Sequence, residues 1–232
     1  MTTTKQSNLP TCIGVIMDGN RRWAKERALP TLAGHTKGYQ KLKEVISWVY
    51  EMEIPNIIFY TFSTENWNRK KEEVEYLMDL FEKKITNDFE EIKKKNIRVL
   101  FIGQKEKFSK TLQKVMKQHE DDTADNTHGT VVFALSYGGR TEIIHAVNRA
   151  LKEKKYKTVD EDTFSKILWT EDVPDPDIII RTGGEKRLSN FLTWQSVYSE
   201  LFFSDTLWPD FSKKEFTSIL ENFSNRERRR GK

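Results

Sequence analysis

Residues 12–24 read CIGVIMDGNRRWA. The two halves of this stretch make different demands. IGVIM (13–17) is short and continuously apolar, as a strand buried on both faces is. The next five positions, Asp18 to Arg22, hold a carboxylate, a glycine, an amide and two arginines. Asp-Gly-Asn alone reads as a turn. The arginine pair, directly after a buried strand, marks the turn as a place that holds something negatively charged.

The alternation continues along the chain. Tyr39, Leu42, Val45, Ile46, Val49 and Met52 recur at helical spacing between Gly38 and Glu53. IIFYTF (57–62) predicts a second strand, and a long helix covers 72–95. IRVLFI (97–102) is a third strand and 106–119 another helix. TVVFAL (130–135) is a fourth strand, with helices over 141–154 and 160–169 after it. Residues 177–180 give a fifth strand, 200–204 a sixth, and 212–224 a closing helix. Short apolar strands separated by helices predict an α/β fold: a single domain with a mostly parallel central sheet and helices on both faces. Residues 1–12 read as a polar N-terminal extension and 13–232 as one catalytic domain.

Composition narrows the function classes. The chain has 232 residues, 37% hydrophobic and 32% charged, with a net charge of +4. That length supports a sizeable core. The charge is too small and too scattered for a dedicated nucleic-acid binder. One cysteine, Cys12, rules out an internal disulfide and a cysteine-rich metal site, which suits a reducing, cytoplasmic setting. MTTTKQSNLP lacks the apolar region of a signal peptide, and no stretch reaches 18 consecutive apolar residues.

Four polar segments each follow a strand: 18–23, STENWNR (63–69), YGGR (137–140) and RTGGEKRLSN (181–190). In an open α/β sheet the ligand crevice lies at the carboxyl ends of the strands, so these segments are expected to converge. Arg21, Arg22, Arg69, Arg140, Arg181 and Arg187 offer forked donors that match phosphate oxygens. Gly19, Gly183 and Gly184 let backbone N–H groups come close to an anion. Asp18 would repel phosphate without a cation between them, and Mg²⁺ takes one or two carboxylates plus phosphate oxygens. The set reads as a site for a Mg-diphosphate. Neither a P-loop nor a dinucleotide fingerprint is present.

The stretches MDGNRRWA, GHTKG (34–38), FSTENWNR (62–69), FALSYGGR (133–140), IIIRTGGEKRLSNFLTWQ (178–195), YSELFF (198–203) and LWPDF (207–211) resemble the cis-prenyltransferases, the undecaprenyl diphosphate synthase or isoprenyl transferase family. The resemblance implies condensation of isopentenyl diphosphate with an allylic diphosphate such as farnesyl diphosphate, forming Z double bonds. It also implies an apolar tunnel and a homodimer. Asp18 would engage Mg²⁺ and the allylic diphosphate, with Glu200 as second metal ligand reaching across the dimer interface. Gly19, Asn20, Arg21, Arg22, Trp23 and His35 would hold the allylic substrate. Arg181, Arg187, Leu188 and Ser189 would hold isopentenyl diphosphate. Ser63, Thr64, Glu65, Trp67 and Arg69 would organise the reacting centre. Asn66 is the family's proton-accepting position, but a neutral amide is a very poor base, and the departing diphosphate is the better acceptor. Four residues before His35 the family carries arginine, and this chain has Thr31, expected to line the allylic site still.

Thr61, small where short-product members are bulkier, points to a long, undecaprenyl-like product. The product's release would bring a peripheral membrane contact. The alternatives are a short-chain or branched-product synthase and a non-catalytic scaffold subunit. Arg229-Arg230-Gly231 matches a terminal motif that folds back near the partner's site.

Overall fold

Six strands, β1 (Cys12–Ile16), β2 (Asn56–Ser63), β3 (Ile97–Ile102), β4 (Gly129–Tyr137), β5 (Ile178–Arg181) and β6 (Glu200–Phe203), form one sheet in the order β3-β4-β2-β1-β5-β6. Every neighbouring pair is parallel. This is a computed structural model, and it describes residues 9–87, 89–153 and 156–226. The terminal Arg229-Arg230-Gly231 and most of the expected 1–12 extension lie outside the described residues. The helices are α1 (Asn20–Glu26), α2 (Thr31–Glu51), α3 (Lys71–Asn87), α4 (Phe89–Lys94), α5 (Lys110–Asp122), α6 (Gly139–Glu153), α7 (Glu161–Ser165) and α8 (Lys213–Ser224). From β1 the chain builds β2, β4 and β3 on one side, then returns to add β5 and β6 on the other. The crevice that such a reversal opens lies at the carboxyl ends of β1, β2 and β5.

Strand residues alternate between two cores, as the pleat requires. Ile13, Val15, Ile57, Phe59, Val131 and Phe133 pack with the apolar faces of α2, α3, α5 and α8. Cys12, Ile16, Ile58, Val132 and Ala134 face the other way, onto Val173, Phe191 and Leu192, with Trp169 and Leu188 partly buried beside them. The second face is thus covered largely by the irregular segments on either side of β5, around 169–173 and 188–192. Ala146 of α6 belongs to a small outlying cluster with Ile167 and Leu168.

The alternation breaks once in β2. Tyr60 pairs with Ala134, yet Phe62 pairs with Leu135, so Thr61 is an extra residue in the ladder. Without it Phe62 would share Tyr60's face. With it, Phe62 joins Ile57 and Phe59, and Tyr60 packs in the other core. A bulge of this kind re-aims side chains beside a site.

Two helix starts differ from the sequence expectation. NRRWAKE forms a helix that carries no apolar period, because Ala24 is its one buried residue. The next helix begins at Thr31 rather than Gly38. Gly34 and Gly38 look like breakers, but they are where α1 docks. A Cβ at Gly34 would lie 2.0 Å from the Asn20 carbonyl oxygen, and one at Gly38 2.2 Å from Asn20 Oδ1. The long helix expected over 72–95 is helical through its described residues, as α3 up to Asn87 and α4 from Phe89 to Lys94.

Candidate active site

Asp18 sits two residues past the end of β1 and is clamped through its backbone. Its carbonyl accepts from Trp208 N at 3.0 Å and from Thr182 Oγ1 at 2.8 Å. Gly19 follows with φ +115°, and a Cβ there would meet Leu207 Cα at 2.9 Å, so only glycine fits this turn. The Asp18 carboxylate is left facing two arginines. Oδ2 accepts from Arg181 Nη2 at 2.8 Å and Oδ1 from Arg22 Nη2 at 3.2 Å. Arg181 is the last residue of β5 and is 4% exposed. Its Nη1 donates to the Arg187 carbonyl at 2.6 Å and to Ser189 Oγ at 2.7 Å. One buried guanidinium therefore ties Asp18 to the 187–189 loop.

A second carboxylate, Glu73 of α3, gathers the other basic groups. It is 9% exposed. Oε1 is 3.1 Å from Arg69 Nη1 and 3.2 Å from His35 Nε2, and Oε2 is 3.8 Å from Arg21 Nε. Burial and the neighbouring Arg69 push the His35 pKa below its ordinary value, against the pull of Glu73. The ring is neutral at pH 7, and its contact with Glu73 puts the hydrogen on Nε2. Glu73 was absent from the sequence reading. An acid in the first turn of an amphipathic helix looks like ordinary solvated charge, and nothing local distinguishes this one.

Residues after β2 form a 3-10 turn, Thr64–Asn68, closed by a reciprocal cap between Ser63 and Asn66. Asn66 Oδ1 accepts from Ser63 N at 3.1 Å. The amide oxygen that a proton-accepting role would need is thus committed to the turn. Glu65 accepts from Asn190 Nδ2 and Thr64 Oγ1, both at 3.0 Å. Burial alone would raise the Glu65 pKa, but hydrogen bonds from its own backbone, Asn190, Thr64 and Ser63 outweigh it and hold the carboxyl below its usual range.

These groups line connected space. A cavity of about 590 Å³ brings together Asp18, Asn20, His35, Ser63, Glu65, Asn66, Arg69, Arg181 and Ser189. An outer lobe of about 550 Å³ shares Asp18, Asn20, His35 and Arg69 and adds Gly19, Arg21, Arg22, Lys25 and Thr31. An inner lobe of about 60 Å³ shares Tyr39, Leu42, Thr61 and Phe81 with the main cavity; its walls are apolar at Ile46, Ile85, Ile92, Phe133 and Leu135 and carry Lys43, Lys84 and Lys95.

Residues 16–231 match the family described as "Putative undecaprenyl diphosphate synthase". The chain belongs to this family. A Thermotoga maritima isoprenyl transferase is 46% identical over 226 residues, covering 96% of this chain and 97% of that one. A probable undecaprenyl diphosphate synthase of Campylobacter jejuni is similar in structure, with TM-score 0.82 at 33% identity, over 97% of this chain and 100% of that one. A lavandulyl diphosphate synthase of Lavandula x intermedia, solved with dimethylallyl diphosphate, gives TM-score 0.92 at 31% identity, over 97% and 99%. Family membership makes this chain a prenyl-transferring enzyme.

Several residues drawn from the family's motifs turn away from the cavity. Trp23 Nε1 donates to Asp210 Oδ1 at 2.7 Å, and the Arg27 guanidinium lies 4.5 Å over its ring. Trp67 donates to Ser136 Oγ at 2.9 Å and packs edge-on to Phe62. Leu188 packs toward the second core, Thr64 binds Glu65, and Arg187 reaches out to Glu185. These tryptophans brace the loops, and their aromatic bulk is satisfied by packing. Arg140 is exposed at the start of α6, and its backbone N–H is held by Asn190.

The family's metal can be tested against the donors present. Among the described residues no three His, Cys, Asp or Glu side chains converge. Asp18 is a single carboxylate facing a cavity rich in arginine. That set fits Mg²⁺, which keeps waters and takes further ligands from phosphate oxygens. Glu200 does not join it within one chain. Glu200 pairs with Ile178 at the start of β6, whereas the site lies at the other end, where Arg181 pairs with Phe203. Three residues of strand separate them, about 10 Å. The Glu200 carboxylate is held by Arg226 at 3.0 Å.

Proposed function

We propose that this enzyme adds isopentenyl diphosphate units to an allylic diphosphate such as farnesyl diphosphate, building a long Z-polyprenyl diphosphate of undecaprenyl-like length. One observation carries the reading. An arginine-lined cavity opens, past Thr61, into an apolar lobe walled by Ile46, Ile85, Phe133 and Leu135. A charged head group and a hydrocarbon tail need that pairing.

In the proposed mechanism Arg21, Arg22 and Asn20 hold the allylic diphosphate beside Asp18, with His35 and Arg69 behind them. Arg181 and Ser189 hold the isopentenyl diphosphate, and Arg187 joins them by leaving Glu185 when the substrate binds. The allylic C–O bond breaks, and the diphosphate leaves with the electron pair. The alkene of the second substrate bonds to the allylic carbon, and a proton is lost from the adjacent carbon to the departed diphosphate. The arginines act because negative charge grows on the leaving group, so their stabilisation is larger in the transition state than in the ground state. Asp18 would hold Mg²⁺, which when bound supplies further charge stabilisation to that leaving group. Asn66 fixes the 63–66 turn against the reacting centre rather than taking the proton, since its amide oxygen already accepts from Ser63 N.

A second copy fits the exposed apolar residues Ile144 (60%) and Leu151 (73%) of α6 together with Val197 (71%), Tyr198 (77%) and Leu201 (42%) near edge strand β6. Glu200 is next to Leu201 in the edge strand, which supports a homodimer in which it serves across the interface.

The test is incubation with farnesyl diphosphate, labelled isopentenyl diphosphate and Mg²⁺, followed by sizing of the product. A ladder ending near undecaprenyl length is expected. A product of three or four isoprene units, a branched product, or no turnover by the chain alone would each overturn it in favour of a short-chain synthase, an irregular synthase or a scaffold subunit.

A further inference from the structure

The outer lobe is lined by five basic side chains, and four of them already have a carboxylate. Arg22 is bound to Asp18, while Arg21, His35 and Arg69 lie on Glu73. A phosphate oxygen entering the lobe must compete with those partners. Lys25 lines the same lobe, and among the described residues its ammonium has no carboxylate partner. The neighbouring Glu26 is 3.8 Å from Arg27 instead. Lys25 stands four residues after Arg21 on α1, so both project from one face of the helix. Thr31, across the lobe, contributes only a hydroxyl.

We propose that Lys25 is the specificity-determining cation of the outer lobe: it captures the diphosphate of the allylic substrate on entry and keeps it there. The proposal rests on the prenyl-transfer reading for the name of the substrate, and on the lobe's own chemistry for the anion. An ammonium is a compact point charge with three donors, well suited to a doubly charged phosphate end. Being exposed and uncompensated, it also acts at a distance on an approaching anion, and that action is screened by salt.

The experiment compares wild type, Lys25→Gln and Lys25→Arg, with inorganic diphosphate as the calorimetric probe at low and high salt. Loss of one charged contact is expected to weaken diphosphate binding by about tenfold in Lys25→Gln at low salt, roughly 1.4 kcal/mol. The deficit should shrink at high salt, and Lys25→Arg should restore most of the affinity. In steady-state assays the allylic KM should rise by a similar factor while the isopentenyl diphosphate KM stays put. Diphosphate affinity within twofold of wild type in Lys25→Gln overturns the proposal, as does an equal rise in both KM values. If wild type makes no prenyl product yet Lys25→Gln still loses diphosphate, the assignment of Lys25 stands and the functional reading falls.

Discussion

Nη1 of Arg69 donates to Oε1 of Glu73 at 3.1 Å, across one turn of chain at the entry to α3. The same buried carboxylate lies against His35 of α2 and Arg21 of α1. Three basic groups from three segments therefore take their positions from one acid. Removing it leaves two guanidinium groups crowded in a half-enclosed cavity with nothing to oppose them. Glu73→Ala is expected to raise the allylic KM by tenfold or more, given roughly 1.5–3 kcal/mol for a charged hydrogen bond, with a smaller effect on the isopentenyl KM. Glu73→Gln, which keeps an acceptor oxygen, should recover part of the loss. Kinetics indistinguishable from wild type in Glu73→Ala would show that the arginines hold themselves.

The His35 ring supplies a pH test. Burial and the charge on Arg69 depress its pKa, and Glu73 opposes them. Its NMR titration midpoint is expected below the ordinary value of about 6.5, and lower again in Glu73→Gln. The sign for stability follows. The unfolded chain takes up the proton at a higher pH than the folded one, so unfolding is favoured as pH falls. This contribution is present in full above pH ~6.5 and is lost as pH drops through the folded value. Urea melts of wild type and His35→Asn between pH 7.5 and 5 should converge on the acid side. A midpoint at or above 6.5 contradicts the burial argument.

How far the site was legible in the sequence depended on whether a residue's job leaves a local mark. Strands β1, β2, β4 and β5 announce themselves as apolar runs because both their faces are covered. Asp18, Arg22 and Arg181 stand at strand ends in polar company, and the structure does bring them together. Glu73 and Lys25 were not singled out, since each looks like a surface charge on a helix and only tertiary contacts separate them. Trp23 and Trp67 share motifs with phosphate-binding residues, and only the fold shows that their indole N–H groups go to Asp210 and Ser136. The bulge at Thr61 has no sequence signature, because it is a shift in register between two strands, reversed again between Phe62 and Ser63, rather than a feature of one.

Asp18 touches both halves of the site, through Arg22 on one side and Arg181 on the other. Its carboxylate matters most as the leaving group gains charge, so Asp18→Ala should cut kcat to well under a tenth of wild type, a loss above roughly 1.4 kcal/mol, while diphosphate still binds. Single-turnover rates with calorimetric binding of inorganic diphosphate check the two halves of that statement. Retention of more than a tenth of kcat would remove Asp18 from the leaving-group machinery.

Thr61 offers the sharpest test of where the product goes. Its side chain lines both the polar cavity and the inner apolar lobe, so a growing chain that enters the lobe must pass it. As the extra residue of a bulge it belongs to neither core, and Phe62 and Tyr60 on either side carry the packing. A larger side chain there should fill the passage with little cost to the sheet. Thr61→Phe is therefore expected to leave the first condensation close to wild-type rate, hold the thermal midpoint within a few degrees, and shift the product toward short prenyl diphosphates. Thr61→Ala should leave product length unchanged, which separates blockage from loss of the hydroxyl that donates to the Phe59 carbonyl. Thin-layer or mass-spectrometric sizing after exhaustive reaction reads the outcome. A full-length product from a folded, active Thr61→Phe enzyme would mean that the chain leaves the site by another route and that the inner lobe is ordinary core.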